Sequence, residues 1–252
     1  MNTRHLTLIT GASRGMGLAM ARARLRQGHH VVGLSRHASP ELQAEADALG
    51  APLEQWTLDL TDAAAAAGRL RAWLAAQAGD AFASATLINN AALIPRIGPL
   101  RDADAEDLTR ALRVGLEAPM LLSAAFLDAT RHWTGPRRLL NISSGLGRRA
   151  MASQSGYCAV KAGMDHFSRC VALEEALTPN GARVCSLAPG VIDTDMQRQL
   201  RGADAGAFPD RGAFEQLHAQ GRLSSPEQAA AAVLARLDRA DFGADPVADV
   251  RD

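Results

Sequence analysis

Residues 6–17 read LTLITGASRGMG. LTLIT is a short β-rich apolar run, and the glycines at 11, 15 and 17 follow it into a stretch that reads as helix from 16 to 27. A strand that turns tightly into a helix leaves the first N–H groups of that helix free to meet an anion. Gly11, Gly15 and Gly17 let a pyrophosphate approach the backbone, and Ser13, Arg14 and Met16 belong to the same turn. Glycine spacing alone is a weak signal, because any tight strand-to-helix turn can use it. The rest of the chain gives it weight.

Outward from this turn, short apolar runs recur as HVVGLS (30–35), LEQWTLD (53–59), ATLINN (85–90), RRLLNIS (137–143), ARVCSLAPG (182–190) and, weakly, PVADV (246–250). Helical stretches lie between them at 40–49, 62–78, 103–131, 153–177 and 225–239. Strand alternating with helix predicts an α/β, doubly wound domain, its parallel sheet of about seven strands covered by helices on both faces. No linker or repeat divides the 252 residues, so one domain over 1–252 is expected. The last helix opens on Ser225, Pro226 and Gln228, the pattern of a capping box with proline in the first turn. The segment at about 195–224 breaks the alternation after the sixth strand. At the carboxyl edge of such a sheet, it reads as a cover over a substrate.

Basic and acidic residues balance at 27 each, so no broad field of one sign is available for nucleic acid or an anionic membrane. The three cysteines lack CxxC spacing and the seven histidines lack ligand spacing, which argues against a disulfide framework and a metal site. No signal-like apolar stretch opens the chain. The longest mostly apolar run, APMLLSAAFL (118–127), falls short of the roughly 18 residues that span a bilayer. A cytoplasmic location is expected.

In a dinucleotide-binding sheet, an acid ending the second strand accepts from the ribose 2′-hydroxyl of NAD and repels the 2′-phosphate of NADP. Here that place reads GLSRH, with Ser35 and Arg36 and no acid. Arg36 and Arg14 together suit a phosphate, so NADP(H) is the expected cofactor.

GYCAVKAG (156–163) holds the only tyrosine and the only lysine of the chain, Tyr157 and Lys161, one helical turn apart. Chance gives that about one time in sixty. A carbonyl that accepts hydride builds negative charge on its oxygen and needs a proton donor beside it. A lysine cation on the same helix face is expected to pull a phenol below its usual value of about 10. Ser144, at the end of the fifth strand in NISSG, can hold the same oxygen.

TGASRGMG, Asp59 in LDL, INNAA (88–92), NISSG, YCAVK and PGVIDT (189–194) together resemble the short-chain dehydrogenase/reductase family over nearly the whole chain. That resemblance implies a Rossmann-type domain, hydride transfer with a nicotinamide, a small-molecule carbonyl substrate, and a homodimer or homotetramer built on the two long helices. It implies that Ser144 orients the carbonyl, Tyr157 is the acid and Lys161 also binds the nicotinamide ribose. Asp59 would sit near adenine, Asn89 and Ala91 on the adenosine side, and Pro189, Gly190, Val191 and Thr194 around the carboxamide.

The wording of INNAALIPRIGPL, EAPMLLSAAF, APGVIDTDMQRQLR and the ending FGADPVADVRD is similar to the sepiapterin reductase and benzil reductase branch. That likeness implies NADPH-dependent reduction of a ketone or vicinal dicarbonyl, with Asp249 anchoring a pterin. Two positions depart from the family. Gly115 replaces a usual asparagine in the helix after the fourth strand, which predicts slower turnover or a proton relay through water and backbone. Ala92 stands where glycine is preferred and crowds the cofactor side slightly. Gly115 also motivates the alternative, an NADP-binding redox sensor with little catalysis.

Overall fold

Side-chain alternation along the strands decides how the sheet is covered. In β1 (His5–Thr10), Leu6 and Leu8 point to one face and Ile9 to the other, and all three are buried. The other strands are β2 (His30–Ser35), β3 (Leu53–Thr57), β4 (Ser84–Asn89), β5 (Arg137–Ile142), β6 (Arg183–Ala188) and β7 (Val247–Asp249), and the same alternation parts Val31 from Val32, Leu87 from Ile88, Leu139 from Leu140 and Val184 from Cys185. The computed structural model describes residues 4–252. Its seven strands form one parallel sheet in the order β3-β2-β1-β4-β5-β6-β7. Between β1 and β4 the winding reverses, and that crevice is where such sheets bind ligands.

One face is closed by α3 (Ala63–Ala75), α4 (Ala105–Leu112), α5 (Ala118–Thr130) and α6 (Ser155–Ala176). The other is closed by α1 (Gly15–Arg26), α2 (Pro40–Leu49) and α9 (Pro226–Leu237), with α1 against α9. Ser225 and Gln228 form the reciprocal capping box at the start of α9. The domain is therefore the single doubly wound α/β unit that the alternation predicts.

Two regions are richer than the sequence pattern. The helix expected over 103–131 contains a wide π turn at Arg113–Glu117 between α4 and α5. Pro119 sits just beyond it and has no N–H to give to the Gly115 carbonyl four residues back, so the α-helical ladder cannot run through. The segment after β6 holds α7 (Asp195–Arg201) and α8 (Arg211–Ala219) rather than an irregular loop. Leu200 and Phe208 form a small separate core with Ile97, against which Ile94, Met151 and Phe214 pack. No helix among the described residues is long and apolar enough to cross a membrane.

Candidate active site

The turn between β1 and α1 is held from the neighbouring strand. Thr10 Oγ1 accepts from the backbone N–H groups of Asn90 and Ala91, each at 2.9 Å, and Asn90 Nδ2 donates to the Thr10 carbonyl at 2.9 Å. A Cβ at Gly17 would run into the Gly11 carbonyl oxygen, so only glycine lets the chain fold back this closely. Side chains of Ser39, Asp62, Asp104 and Ser225 cap α2, α3, α4 and α9. By contrast, α1 has no side-chain cap and no acid in its first turn. Its free donors fit an anion.

At the end of β2, Ser35 Oγ is sealed from solvent and has no hydrogen-bond partner among the described residues. Arg36 beside it is exposed. Asp59, beyond β3, accepts from Thr61 N at 2.9 Å. That bond, with the Arg36 and Arg110 charges, holds its carboxyl below the usual range. A cleft of about 620 Å³ opens there between Asp59, Thr61, Arg110 and Arg113. These groups fit the adenosine end of a dinucleotide. Arg14 is already engaged, with Nη1 2.8 Å from Asp195 at the start of α7.

Helix α6 carries Tyr157 and Lys161 on its inner face, 7% and 2% exposed. Lys161 Nζ donates to the Ile142 carbonyl at 2.7 Å and lies 5.7 Å from the Tyr157 ring centre. Burial pulls the ammonium down to about 8, opposed by the nearby charge of Asp165. The phenol departs from expectation. Burial pushes Tyr157 up to about 12, and the hydrogen bond with Ser144 only partly offsets that. For the chain by itself, the cost of putting a phenolate in a dry site exceeds any help from the lysine. Ser144 Oγ also accepts from Leu146 N at 3.2 Å. Ser143 turns the other way, towards Asp165.

The connection from β6 to β7 runs beside the pair of Tyr157 and Lys161. Pro189 and Gly190 leave β6, the Val191 carbonyl accepts from Ser224 N–H at 2.9 Å, and Thr194 stands just before α7. Met196 then brings its Sδ within 3.8 Å of the Tyr157 hydroxyl. Ser153 Oγ donates to the Ala207 carbonyl at 2.5 Å, which ties the same segment down beside α6.

Two residues sit differently from what the sequence implied. Asn89 does not face the adenosine side. It is 1% exposed, and its amide donates to Asn141 Oδ1 at 2.8 Å and Ser123 Oγ at 3.2 Å, which ties β4 to β5 and α5. Its neighbour Asn90 works at the phosphate turn instead, since adjacent strand residues face opposite ways. Asp249 is not an open acceptor for a pterin. Its carboxylate takes both arms of Arg251, at 2.7 and 2.6 Å, and lies 3.8 Å from Arg148. Gly115 is a packing residue: a Cβ there would come within 2.6 Å of Val160 Cγ1, beside Lys161. Asn90, Asp165 and Met196 also belong to the site, which the places of Asn90 and Met196 in the sequence do not announce. Only Asp165 had a local signal, one turn beyond Lys161 on the same face.

With this geometry in view, the sequence model described as short chain dehydrogenase matches residues 5–205. A benzil reductase ((S)-benzoin forming) of Bacillus cereus is 33% identical over 235 residues, covering 93% of this chain and 94% of that protein. Among solved structures, a short-chain dehydrogenase/reductase from Burkholderia vietnamiensis aligns at 35% identity and TM-score 0.65, covering 100% of this chain and 99% of the other. A metagenomic short-chain oxidoreductase in complex with NADP aligns at 28% identity and TM-score 0.71, covering 94% and 92%.

Proposed function

We propose, from the premise that the chain belongs to the short-chain dehydrogenase family of oxidoreductases, that it is an NADPH-dependent reductase of a ketone or vicinal dicarbonyl. The observation that carries this reading is the buried stripe of Tyr157 and Lys161, with Ser144 on the phenol, beneath α7. A 1,2-diketone of the benzil kind is the preferred substrate class, supported by the Bacillus cereus relative.

The nicotinamide, when bound, supplies hydride to the carbonyl carbon. This chain's residues do the rest. The free start of α1 and Gly11, Ser13, Gly15, Met16 and Gly17 receive the pyrophosphate. Ser35 and Arg36 receive the 2′-phosphate, Arg14 joins them by exchanging its exposed Asp195 partner for it, and Asp59 with Ala91 flanks the adenosine. Pro189, Gly190, Val191 and Thr194 hold the carboxamide. Ser144 Oγ donates to the substrate oxygen, and Tyr157 gives that oxygen its proton as negative charge develops there. A phenol kept neutral by burial is in the right form for an acid. Lys161 binds the ribose and supplies the positive charge that eases proton loss. The segment at about 195–224 closes over the substrate and excludes water.

Leu112 on α4, Met120 and Leu121 on α5, Leu173 on α6 and Leu177 just beyond its end are exposed. Such apolar surface supports a homo-oligomer. Three free cysteines support a cytoplasmic setting.

The test is turnover of benzil, sepiapterin and simple ketones with NADPH and with NADH. Oxidation of NADPH by a dicarbonyl is expected, and Arg36→Ala should raise the KM for NADPH about tenfold while leaving that for NADH unchanged. Preference for NADH removes the arginine argument. Tight NADPH binding without turnover across the panel replaces the reductase with a sensor.

A further inference from the structure

Beyond Tyr157 and Lys161, the inner stripe of α6 continues to Asp165, another turn along the same face and 1% exposed. A carboxylate that deep is costly to bury and needs partners. It has them on two strand ends. Oδ1 accepts from Ser143 Oγ at 2.5 Å, beyond β5, and from Ser186 Oγ at 2.7 Å on β6. Oδ2 accepts no hydrogen bond among the described residues and lies 4.0 Å from Arg148 Nε. Gly147 closes over it, where a Cβ would stand 2.6 Å from Oδ2 and 2.9 Å from the Lys161 carbonyl.

We propose that Asp165 is a positioning residue, the fixed counter-charge one helical turn from Lys161 that keeps its amine cationic beneath the site. This rests on the reading of Lys161 as part of the Tyr157 machinery. The two serine hydroxyls fix the carboxylate, so it cannot swing out to solvent. Lys161 meanwhile donates to one acceptor among the described residues, the Ile142 carbonyl. A carbonyl holds either an amine or an ammonium, whereas a carboxylate favours only the ammonium. The balance of charge agrees: burial pulls the amine down to about 8, and Asp165 is the group that resists.

The charged and titratable surroundings are Tyr157 on α6, Cys185 on β6, Arg148 after the turn at 145–147, and Asp249 with Arg251 at the end of β7. They alternate in sign from Lys161 outward: Asp165, Arg148, Asp249, Arg251. Asp249 thus acts in this row by holding Arg148, and Arg148 in turn faces the acid that serves the lysine.

The chain offers a direct readout because Lys161 is its only lysine. Isotope-labelled lysine gives one side-chain resonance, and its titration is followed in the wild-type protein and in Asp165→Asn. The midpoint is expected to fall by about one pH unit or more, a tenfold change in the protonation equilibrium. In turnover, kcat should fall rather than KM rise, its loss with rising pH should set in about one unit earlier, and Asp165→Glu should restore both. A folded Asp165→Asn protein whose lysine midpoint matches wild type overturns the proposal. If Asp165→Asn does not fold, the double variant with Lys161→Met removes both charges and is expected to fold, because neither is left unpaired. Failure of that double variant also overturns it. The resonance does not depend on catalysis, so it decides the matter even where no carbonyl is turned over and the reductase reading fails.

Discussion

The two edges of the sheet use charge in opposite ways. At the amino edge, the charged side chains place their terminal groups on protein partners, although Arg24 Nε, Arg137 Nε and His30 Nδ1 are buried without one among the described residues. Arg24 grips Asp238 with both arms, at 2.9 and 2.6 Å, and Arg137 donates to the Asn180 carbonyl at 2.5 Å. His29 meets Thr7 at 2.9 Å, and His30 rests against Trp73 and Phe82. At the carboxyl edge, groups are left open: the uncapped start of α1, the orphaned Ser35 hydroxyl, and a phenol that has Ser144 and, 3.8 Å away, the Met196 thioether beside it. Saturated polar groups stabilise the fold, while unsaturated ones in a crevice are available to a ligand. Substitutions at the two edges should therefore separate activity from stability.

The largest effect is expected from Tyr157→Phe, which should lower kcat about a thousandfold with the melting temperature little changed. An activity close to wild type would remove the proton donor from the mechanism. The same residue can be checked without substrate. As the only phenol in the chain, it should titrate towards 12 when followed by ultraviolet absorbance.

At the opposite edge, Arg24→Ala should cost about 2 kcal/mol of stability in a urea titration, since it leaves Asp238 without its paired donor. Its kcat should stay at the wild-type value. A variant that loses turnover but not stability would erase the distinction between the edges.

The smallest expected effect concerns His29, which burial and the Arg24 charge hold down at about 4 rather than 6.5. The folded state then binds fewer protons than the unfolded chain between those values, so stability rises with pH across that window. The contribution is complete above 6.5 and lost as pH falls through 4. His29→Asn should flatten that slope in urea midpoints taken between pH 4 and 6.5, without moving the pH profile of turnover.

Much of this architecture is local and therefore readable from the letters. Leu6, Leu8 and Ile9 set strand period and face. Ser225 and Gln228 close the start of α9 within one turn. Tyr157 and Lys161 share a helix face because four residues make about one turn. The wide turn at 113–117 was also latent in Pro119, although reading 103–131 as one helix passed over it.

What the sequence by itself determined was the doubly wound sheet, the glycine turn at its crevice and the pairing of phenol with amine, since spacing along an element fixes which side a residue faces. Only the tertiary structure decided that Asn89 ties strands together, that Asp249 is held between Arg148 and Arg251, that Met196 lies on the phenol, and that burial raises rather than lowers the Tyr157 pKa. Those outcomes depend on neighbours such as Arg148 and Asp249, some hundred residues apart, and on how much water the fold leaves around a charge. Neither quantity is a property of local spacing.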